Sequence, residues 1–118
     1  MFDAQLLICK SSSFVVFSPW FPKGGDSAKF SIDLVEVDVG AGGDLDVEVL
    51  TKSSEDTGDG TATSIASETG LNAVGITTFS LTTESTVDEL VRYKFTLSAH
   101  AGDWFLFRML QPVWYDRV

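Results

Sequence analysis

Short alternating runs of β-branched and aromatic residues are the feature that most constrains how this chain can fold. The run from Asp44 to Lys52 is the clearest, because Leu45, Val47 and Val49 alternate with acidic residues. Alternate side chains of a strand point to opposite faces of a sheet, so this run predicts one buried face and one solvated face. Clusters of Gly, Ser, Asp and Thr separate the runs, and no window longer than about ten residues keeps a helical period. The pattern predicts an all-β chain.

Eight runs have this composition. They lie at residues 4–9, 13–17, 28–39, 44–52, 75–81, 90–99 and 104–110, with a final short run at 113–115. Seven or eight short strands in 118 residues are typical of an antiparallel β-sandwich with a jelly-roll-like arrangement. The expected organisation is a single domain over residues 1–118, because this length suffices for one core and is too short for two.

Two segments between the runs carry predictions about connections. The glycine-rich link Gly40 to Gly43 can supply the positive φ angles of a tight hairpin between the strands on either side. Residues 53–72 are rich in Ser, Thr, Gly and acidic residues, which predicts a long loop or a hairpin tip.

The run at 28–39 changes phase after Leu34, since the apolar residues before it share one side and those after it share the other. A β-bulge near Leu34, or a strand that crosses between sheets, would let both sets face the core.

Two bases share one face of the run at 90–99. They are Arg92 and Lys94, and opposite charges across a ladder contribute roughly 0.2–1 kcal/mol per pair. We therefore expect them to lie near Asp46 and Glu48 on a neighbouring strand.

The charge balance restricts the partners. Seventeen acidic residues against eight basic ones leave a formal charge of −9, and nine of the acids lie between Asp33 and Asp59. Nucleic acids and anionic membranes attract clustered Lys and Arg, so neither is an expected partner. The apolar run at 6–9 is too short for a signal-peptide core or a membrane span, and export by the usual route is not indicated.

No set of residues predicts catalysis. A nucleophilic Ser, Cys or Thr needs a neighbouring base, and His100 is the only histidine. We interpret His100 as a solvated turn residue and Cys9, the only cysteine, as a small core residue. Carboxylates are numerous, but their number alone does not identify a glycosidase pair. We expect no enzyme and no cofactor.

Two acidic segments leave open whether a cation binds. Asp44, Asp46 and Glu48 project in a row from one strand, either as a solvated sheet face or as a cation site. The segment from Glu55 to Asp59 resembles the start of a calcium loop, but Ser67 stands where the bidentate Glu of such a loop is expected. A polar turn is the preferred interpretation of this segment, and no metal ligand is assigned.

The aromatic clusters indicate contact surfaces. Flat rings can form a sugar-stacking platform, although core and interface packing are commoner uses of tryptophan. The run 104–110 is apolar on both faces apart from Arg108, which predicts an inner strand whose second face meets a neighbouring chain. The residues that we place at a subunit or partner contact are Trp20, Phe21, Arg108, Trp114 and Tyr115.

Four segments together resemble small β-sandwich proteins from the structural modules of tailed phages and prophages. They are Phe-Val-Val-Phe-Ser-Pro-Trp-Phe-Pro at 14–22, Leu-Asp-Val-Glu-Val-Leu-Thr-Lys at 45–52, Leu-Val-Arg-Tyr-Lys-Phe at 90–95 and Phe-Arg-Met-Leu-Gln-Pro-Val-Trp-Tyr at 107–115. The resemblance implies a virion protein of the capsid decoration or cement type, made in the host cytoplasm. It further implies binding to the major capsid protein lattice outside an assembled head, formation of a homo-oligomer there, and no active site.

Two alternatives remain open at this point. The chain could be a tail or neck component of a phage, which the same resemblance covers. It could also be a carbohydrate-binding module with a jelly-roll fold, which predicts that two or three of Trp20, Trp104 and Trp114 are exposed in one plane.

Overall fold

The structure, a computed structural model, describes residues 5–8, 14–40, 43–55, 58, 62–81, 86–98 and 102–116. Across these residues the chain forms ten β-strands and no helix. The all-β class is as predicted, and the third and sixth strands are additional to the eight predicted runs. The strands are β1 (Gln5–Ile8), β2 (Phe14–Phe17), β3 (Phe21–Pro22), β4 (Ser27–Asp38), β5 (Asp44–Lys52), β6 (Thr63–Leu71), β7 (Gly75–Ser80), β8 (Leu90–Ser98), β9 (Trp104–Met109) and β10 (Val113–Tyr115). A search of the same residues for a helix able to span a membrane finds none.

The strands form two antiparallel sheets, which we call sheet A and sheet B. In sheet A, β1 pairs with β9, and β9 and β7 pair with opposite sides of β4. β10 continues along the β9 side of β4, because Lys29 faces Val113 on one side and Ser80 on the other. In sheet B, β2 and β3 pair in turn with β8, β8 pairs with β5, and β5 pairs with β6. Each sheet is therefore four strand positions wide.

The connections make this sandwich a jelly roll. β5 and β6 are joined within sheet B, whereas the chain changes sheet on passing from β1 to β2, β3 to β4, β4 to β5, β6 to β7, β7 to β8 and β8 to β9. Eight positions linked in this order are the jelly-roll arrangement. The predicted antiparallel, jelly-roll-like sandwich is confirmed.

The core lies between the two sheets, where alternate side chains of each strand meet. Phe30 of sheet A meets Tyr93 of sheet B with ring centroids 6.1 Å apart, and Phe95 meets Phe107 at 4.8 Å. All four side chains are buried. A fully buried side chain of this size stabilises the fold by roughly 1.5–3 kcal/mol, so these ring contacts hold the sheets face to face.

A β-bulge interrupts β4 where the sequence changes phase. The register with β9 shifts between Leu34 and Glu36, as predicted. After the bulge Val37 and Val39 pack against the core, but Val35 is 40% exposed. The expectation that all three valines face the core is wrong for Val35, because a bulge leaves its extra residue out of the alternation.

The predicted hairpin across Gly40 to Gly43 is wrong. β4 and β5 lie in different sheets, and the link crosses between them, with Gly43 N donating to Gly40 O at 3.1 Å. Ala41 and Gly42 lie outside the described residues. Both strands have one strongly apolar face, and such strands can pack face to face across a sandwich as well as edge to edge in one sheet.

The predicted long loop at 53–72 is also wrong over its second half. Residues 63–71 form β6, which pairs with β5 despite two register shifts. Ile65 and Ala66 are its buried apolar residues. β6 follows the edge of sheet B, where backbone pairing with one neighbour suffices and a polar strand discourages further pairing.

Candidate binding surfaces

The outer face of sheet A carries a cluster of four apolar side chains, Leu6, Ile8, Trp104 and Leu106, which we call the apolar patch. Pairing of β1 with β9 sets Leu6 opposite Leu106 and Ile8 opposite Trp104. Leu6 is 57% exposed and Ile8 is 50% exposed. These four side chains line one groove together with Glu36. The patch exists because β9 sends Phe105, Phe107 and Met109 inward and the alternate apolar residues outward.

Charged side chains border the apolar patch. On β4, Glu36 lies opposite Leu106 and Asp38 lies opposite Trp104. Further along the same face, Arg108 Nε donates to Asp33 Oδ2 at 3.0 Å. Arg108, which the sequence placed at a partner contact, thus has an acidic partner within its own chain. The Arg108 side chain is half-exposed, and such pairs contribute little to stability.

The outer face of sheet B carries charged side chains on β5 and β8, beside the exposed apolar side chains of Val15 and Phe17 on β2. Lys94 lies opposite Glu48, and their charged atoms are 3.9 Å apart. This confirms the expected pairing for Lys94. The expectation for Arg92 is met only for Glu48, which lines one groove with it; the register sets Arg92 opposite Leu50, and Asp46 lies opposite Thr96.

Arg92 instead belongs to a cation–aromatic cluster with Phe17, Trp20 and Lys52. Its guanidinium carbon is 4.7 Å from the centroid of the Trp20 ring and 4.9 Å from that of Phe17. Lys52 Nζ also stands 4.7 Å from the Trp20 centroid. Arg92 Nε donates to the backbone oxygen of Ser18 at 3.0 Å. The cluster fixes Trp20 by contacts within the chain, each cation–π contact being worth roughly 0.5–1 kcal/mol at an exposed site.

The other three predicted contact residues differ in how free they are to meet a partner. Phe21 packs on Tyr93, with ring centroids 5.3 Å apart, and Trp114 meets Phe30 edge-on at 6.0 Å. Both are partly buried against the core, whereas Tyr115 is 42% exposed. Glycine at position 24 leaves room for the Trp114 ring, because a Cβ on residue 24 would lie 2.6 Å from that ring. Tyr115 is thus the most accessible of the three.

The three tryptophans occupy separate places. Trp104 lies opposite Asp38 at one end of β4, and Trp114 lies opposite Ala28 at the other. Ten residues of strand span about 33 Å. Trp20 lies with the cation–aromatic cluster of sheet B. The three rings therefore do not make one platform.

The acidic row on β5 is engaged by neighbours. Asp46 Oδ1 accepts from Gly70 N at 2.9 Å, and Glu48 pairs with Lys94. Burial, and next the charge of Asp46, raise the pKa of Asp44 above its usual value. No group of three or more His, Cys, Asp or Glu side chains that could hold a metal ion occurs among the described residues.

Several sequence candidates fall outside the described residues. They are Cys9, His100 and the Asp56 and Asp59 positions of the acidic segment. Of that segment Glu55 is described and is exposed.

The five contact residues predicted from sequence do not include the apolar patch, although the second apolar face predicted for the run 104–110 is its β9 half. Leu6 and Ile8 alternate with Leu7 in a short apolar run, so the sequence shows that they point to the face opposite Leu7. It does not show which strand lies beside them. The information that joins Leu6 to Leu106 is the strand order, and a single sequence carries no signal for it. Comparison with protein-family models, with curated proteins and with solved structures finds no match for this chain.

Proposed function

We propose that this chain is a non-enzymatic structural protein of a virion, of the capsid decoration type, that attaches to the outer surface of an assembled phage head. The observation that carries the proposal is the apolar patch on sheet A. Leu6 and Ile8 are each at least half exposed there, next to Trp104 and Leu106 and bordered by Glu36 and Asp38. An apolar centre with a charged rim is the composition of a protein-docking surface.

The rest of the molecule is consistent with an attached protein. A jelly roll presents two broad outer faces, so one face can lie against a lattice while the other remains in solvent. With sheet A docked, the paired charges of sheet B and its cation–aromatic cluster would face outward. A net charge of −9 keeps such a surface soluble and disfavours nucleic acid as the partner. Copies bound to neighbouring lattice sites could also contact one another as a homo-oligomer.

A carbohydrate-binding module has less support. Sugar stacking needs an open ring face, and the Trp20 ring already has Arg92 and Lys52 within 4.7 Å of its centroid. Trp114 packs edge-on against Phe30. A tail or neck protein would use the same apolar patch on a different lattice, and comparison of heads with tails in the binding experiment separates these two sites of attachment.

The test is co-sedimentation with purified heads of the encoding phage, using two variants that add one carboxylate to opposite faces. Leu6→Glu places a charge in the apolar patch, and Val15→Glu places it on the outer face of sheet B, where Val15 is 42% exposed. Both positions lie in short edge strands, so their effects on folding should match.

We expect wild type and Val15→Glu to sediment with heads and Leu6→Glu to bind at least about tenfold more weakly, since one desolvated charge at an interface costs more than about 1.4 kcal/mol. Equal binding of the two variants would move the contact away from sheet A. A wild-type protein that stays in the supernatant with both heads and tails would remove the proposal.

A further inference from the structure

The strand β7 forms one edge of sheet A. β4 pairs with one side of β7, and no other strand in the described part of the chain pairs with its second side. The register with β4 runs without a shift over all six residues of β7. β7 is therefore a regular edge strand, and we call its second side the β7 edge.

The backbone groups at the β7 edge can be assigned from the bonds on the other side of β4. Ser31 O accepts from Leu110 N at 2.9 Å, so the N–H and C=O of Ser31 point away from β7. Thr78 lies opposite Ser31, and their hydroxyl oxygens are 2.9 Å apart, as suits a non-hydrogen-bonded pair of an antiparallel ladder. The N–H and C=O of Thr78 therefore point to the β7 edge, and those of Ile76 and Ser80 do so too, because the direction alternates along a strand.

The other sheet edges carry features that discourage further pairing. β1 has only four residues, Pro19 separates β2 from β3, and β6 shifts register twice against β5. Short strands, prolines, bulges and charged side chains are the usual protection of a sheet edge. β7 contains no proline and no bulge, and no charged residue occurs between Glu68 and Glu84. Its side chain Ile76 is 63% exposed. The β7 edge is thus open to another strand.

We propose that the β7 edge pairs with the β7 edge of a second copy of this chain, so that two molecules share one continuous sheet. Charge selects this occupant. Two copies with a formal charge of −9 each repel one another, and the uncharged segment around β7 is where they can approach with the least repulsion. A charged strand of another protein would find no opposite charge on β7. Among the strands described, β7 itself is the neutral and unprotected edge that fits.

The backbone directions fix the register of this pairing. An antiparallel pair of identical strands has a two-fold axis, so the interface closes with two molecules. With the axis at Thr78, Thr78 faces Thr78 of the second copy and Ile76 faces its Ser80. This register joins every residue of β7 whose backbone groups point to the edge, whereas an axis at either neighbour would leave some of them unpaired.

The pairing leaves the apolar patch uncovered. A two-fold axis within an antiparallel ladder is perpendicular to the sheet, so the outer faces of both copies of sheet A lie on the same side. The two molecules would present two apolar patches to one lattice, and such linked binding raises the overall affinity. This benefit rests on the proposed function, whereas the pairing itself does not.

The first test is sedimentation equilibrium of the isolated protein over a range of concentrations. Thr78→Lys places two like charges opposite each other at the axis, and Val15→Lys adds the same charge to the outer face of sheet B. Both side chains are exposed, so both variants should fold. We expect wild type and Val15→Lys to form a dimer, and Thr78→Lys to dimerise at least about tenfold more weakly.

The second test is disulfide crosslinking, which reads the register. In a Cys9→Ser background, Thr78→Cys should crosslink to its own copy, because opposite Cα atoms of a hydrogen-bonded pair are about 5.5 Å apart and a disulfide spans that distance. Ser80→Cys should not crosslink, because in this register the two copies of that residue are about 14 Å apart.

Three results would overturn the proposal. A wild type that stays monomeric at every concentration would mean that the β7 edge takes no second copy, and weaker binding of monomeric Thr78→Lys to heads would then assign this edge to a strand of another protein. Equal dimerisation of Thr78→Lys and wild type would mean that the copies meet elsewhere. A crosslink through Ser80→Cys in place of Thr78→Cys would exclude the axis at Thr78. Dimerisation is measured without phage heads, so its failure and the failure of head attachment are separate results.

Discussion

The outer faces of the two sheets differ, although their inner faces follow the same alternation. On sheet A the outward residues of β1 and β9 are apolar, and the Arg108–Asp33 pair stands beside them. On sheet B most outward residues of β5 and β8 are charged, Leu50 and Thr96 being among the exceptions, and Arg92 is held between aromatic rings and a backbone oxygen. The comparison shows that packing constrains every second residue of a strand and leaves the others free to specialise. Sheet A exposes a group of apolar side chains, and sheet B exposes charged side chains that pair within the chain.

The largest expected difference in stability is between alanine variants of two arginines, Arg92 on the outer face of sheet B and Arg108 on the outer face of sheet A. Arg92→Ala removes two cation–π contacts and a charge-assisted hydrogen bond to Ser18 O, so it should lower the free energy of unfolding by about 2 kcal/mol. Arg108→Ala removes one exposed ion pair and should lower it by less than about 0.5 kcal/mol. Urea denaturation of both variants measures the difference. Equal losses would mean that the arginines are held in the same way and would break the contrast between the faces.

The pair formed by Lys94 and Glu48 gives a smaller effect. Their charged atoms are 3.9 Å apart and both side chains are about one-third exposed. Glu48→Gln should therefore change the free energy of unfolding by less than about 0.5 kcal/mol, and 1 M salt should abolish the change. A larger, salt-insensitive loss would show that this pair holds the register of β5 and β8.

Substitution of Asp44 gives the smallest expected change in the free energy of unfolding. This change is an increase, whereas the arginine substitutions cause a decrease. Burial and the charge of Asp46 raise the pKa of Asp44 in the folded state above the usual 3.8, so ionised Asp44 destabilises the fold. The penalty is fully present above the raised pKa and disappears as the pH falls below 3.8, where the carboxyl becomes protonated in both states. Asp44→Asn should therefore stabilise the protein at pH 7 by less than about 0.5 kcal/mol. Melting curves at pH 7 and pH 3.5 check this, and a gain that persists at the lower pH would point to another cause.

The alternation of side chains predicts most of the strands and their buried faces. It does not predict which strands pair with one another. Val47 alternating with Asp46 and Glu48 is enough to identify β5 and its buried face. The phase change after Leu34 is enough to locate an irregularity in β4, although it fits both a bulge and a crossing between sheets. Both features depend on residues close together in the chain, where sterics and burial act on each strand separately.

Features that depend on distant segments were missed. The glycine link after β4 fits a hairpin and a crossing between sheets equally well, and only the packed core distinguishes them. β6 has little apolar content and forms because β5 offers it a free edge. Arg92 contacts Trp20 because β8 pairs with β2, which brings the outer face of β8 beside the segment that follows β2. The sequence around Arg92 does not show this pairing.

The pairing of β1 with β9 also has a consequence for the time at which the apolar patch can form. Leu6 and Leu106 are neighbours in sheet A but stand about a hundred residues apart in the chain, so a ribosome must add all the intervening residues before they can meet. Synthesis proceeds at roughly 5–20 residues per second, and contacts between distant segments are slow to form. A nascent chain therefore cannot present this surface early, and the docking that we propose would be open only to molecules that have finished folding.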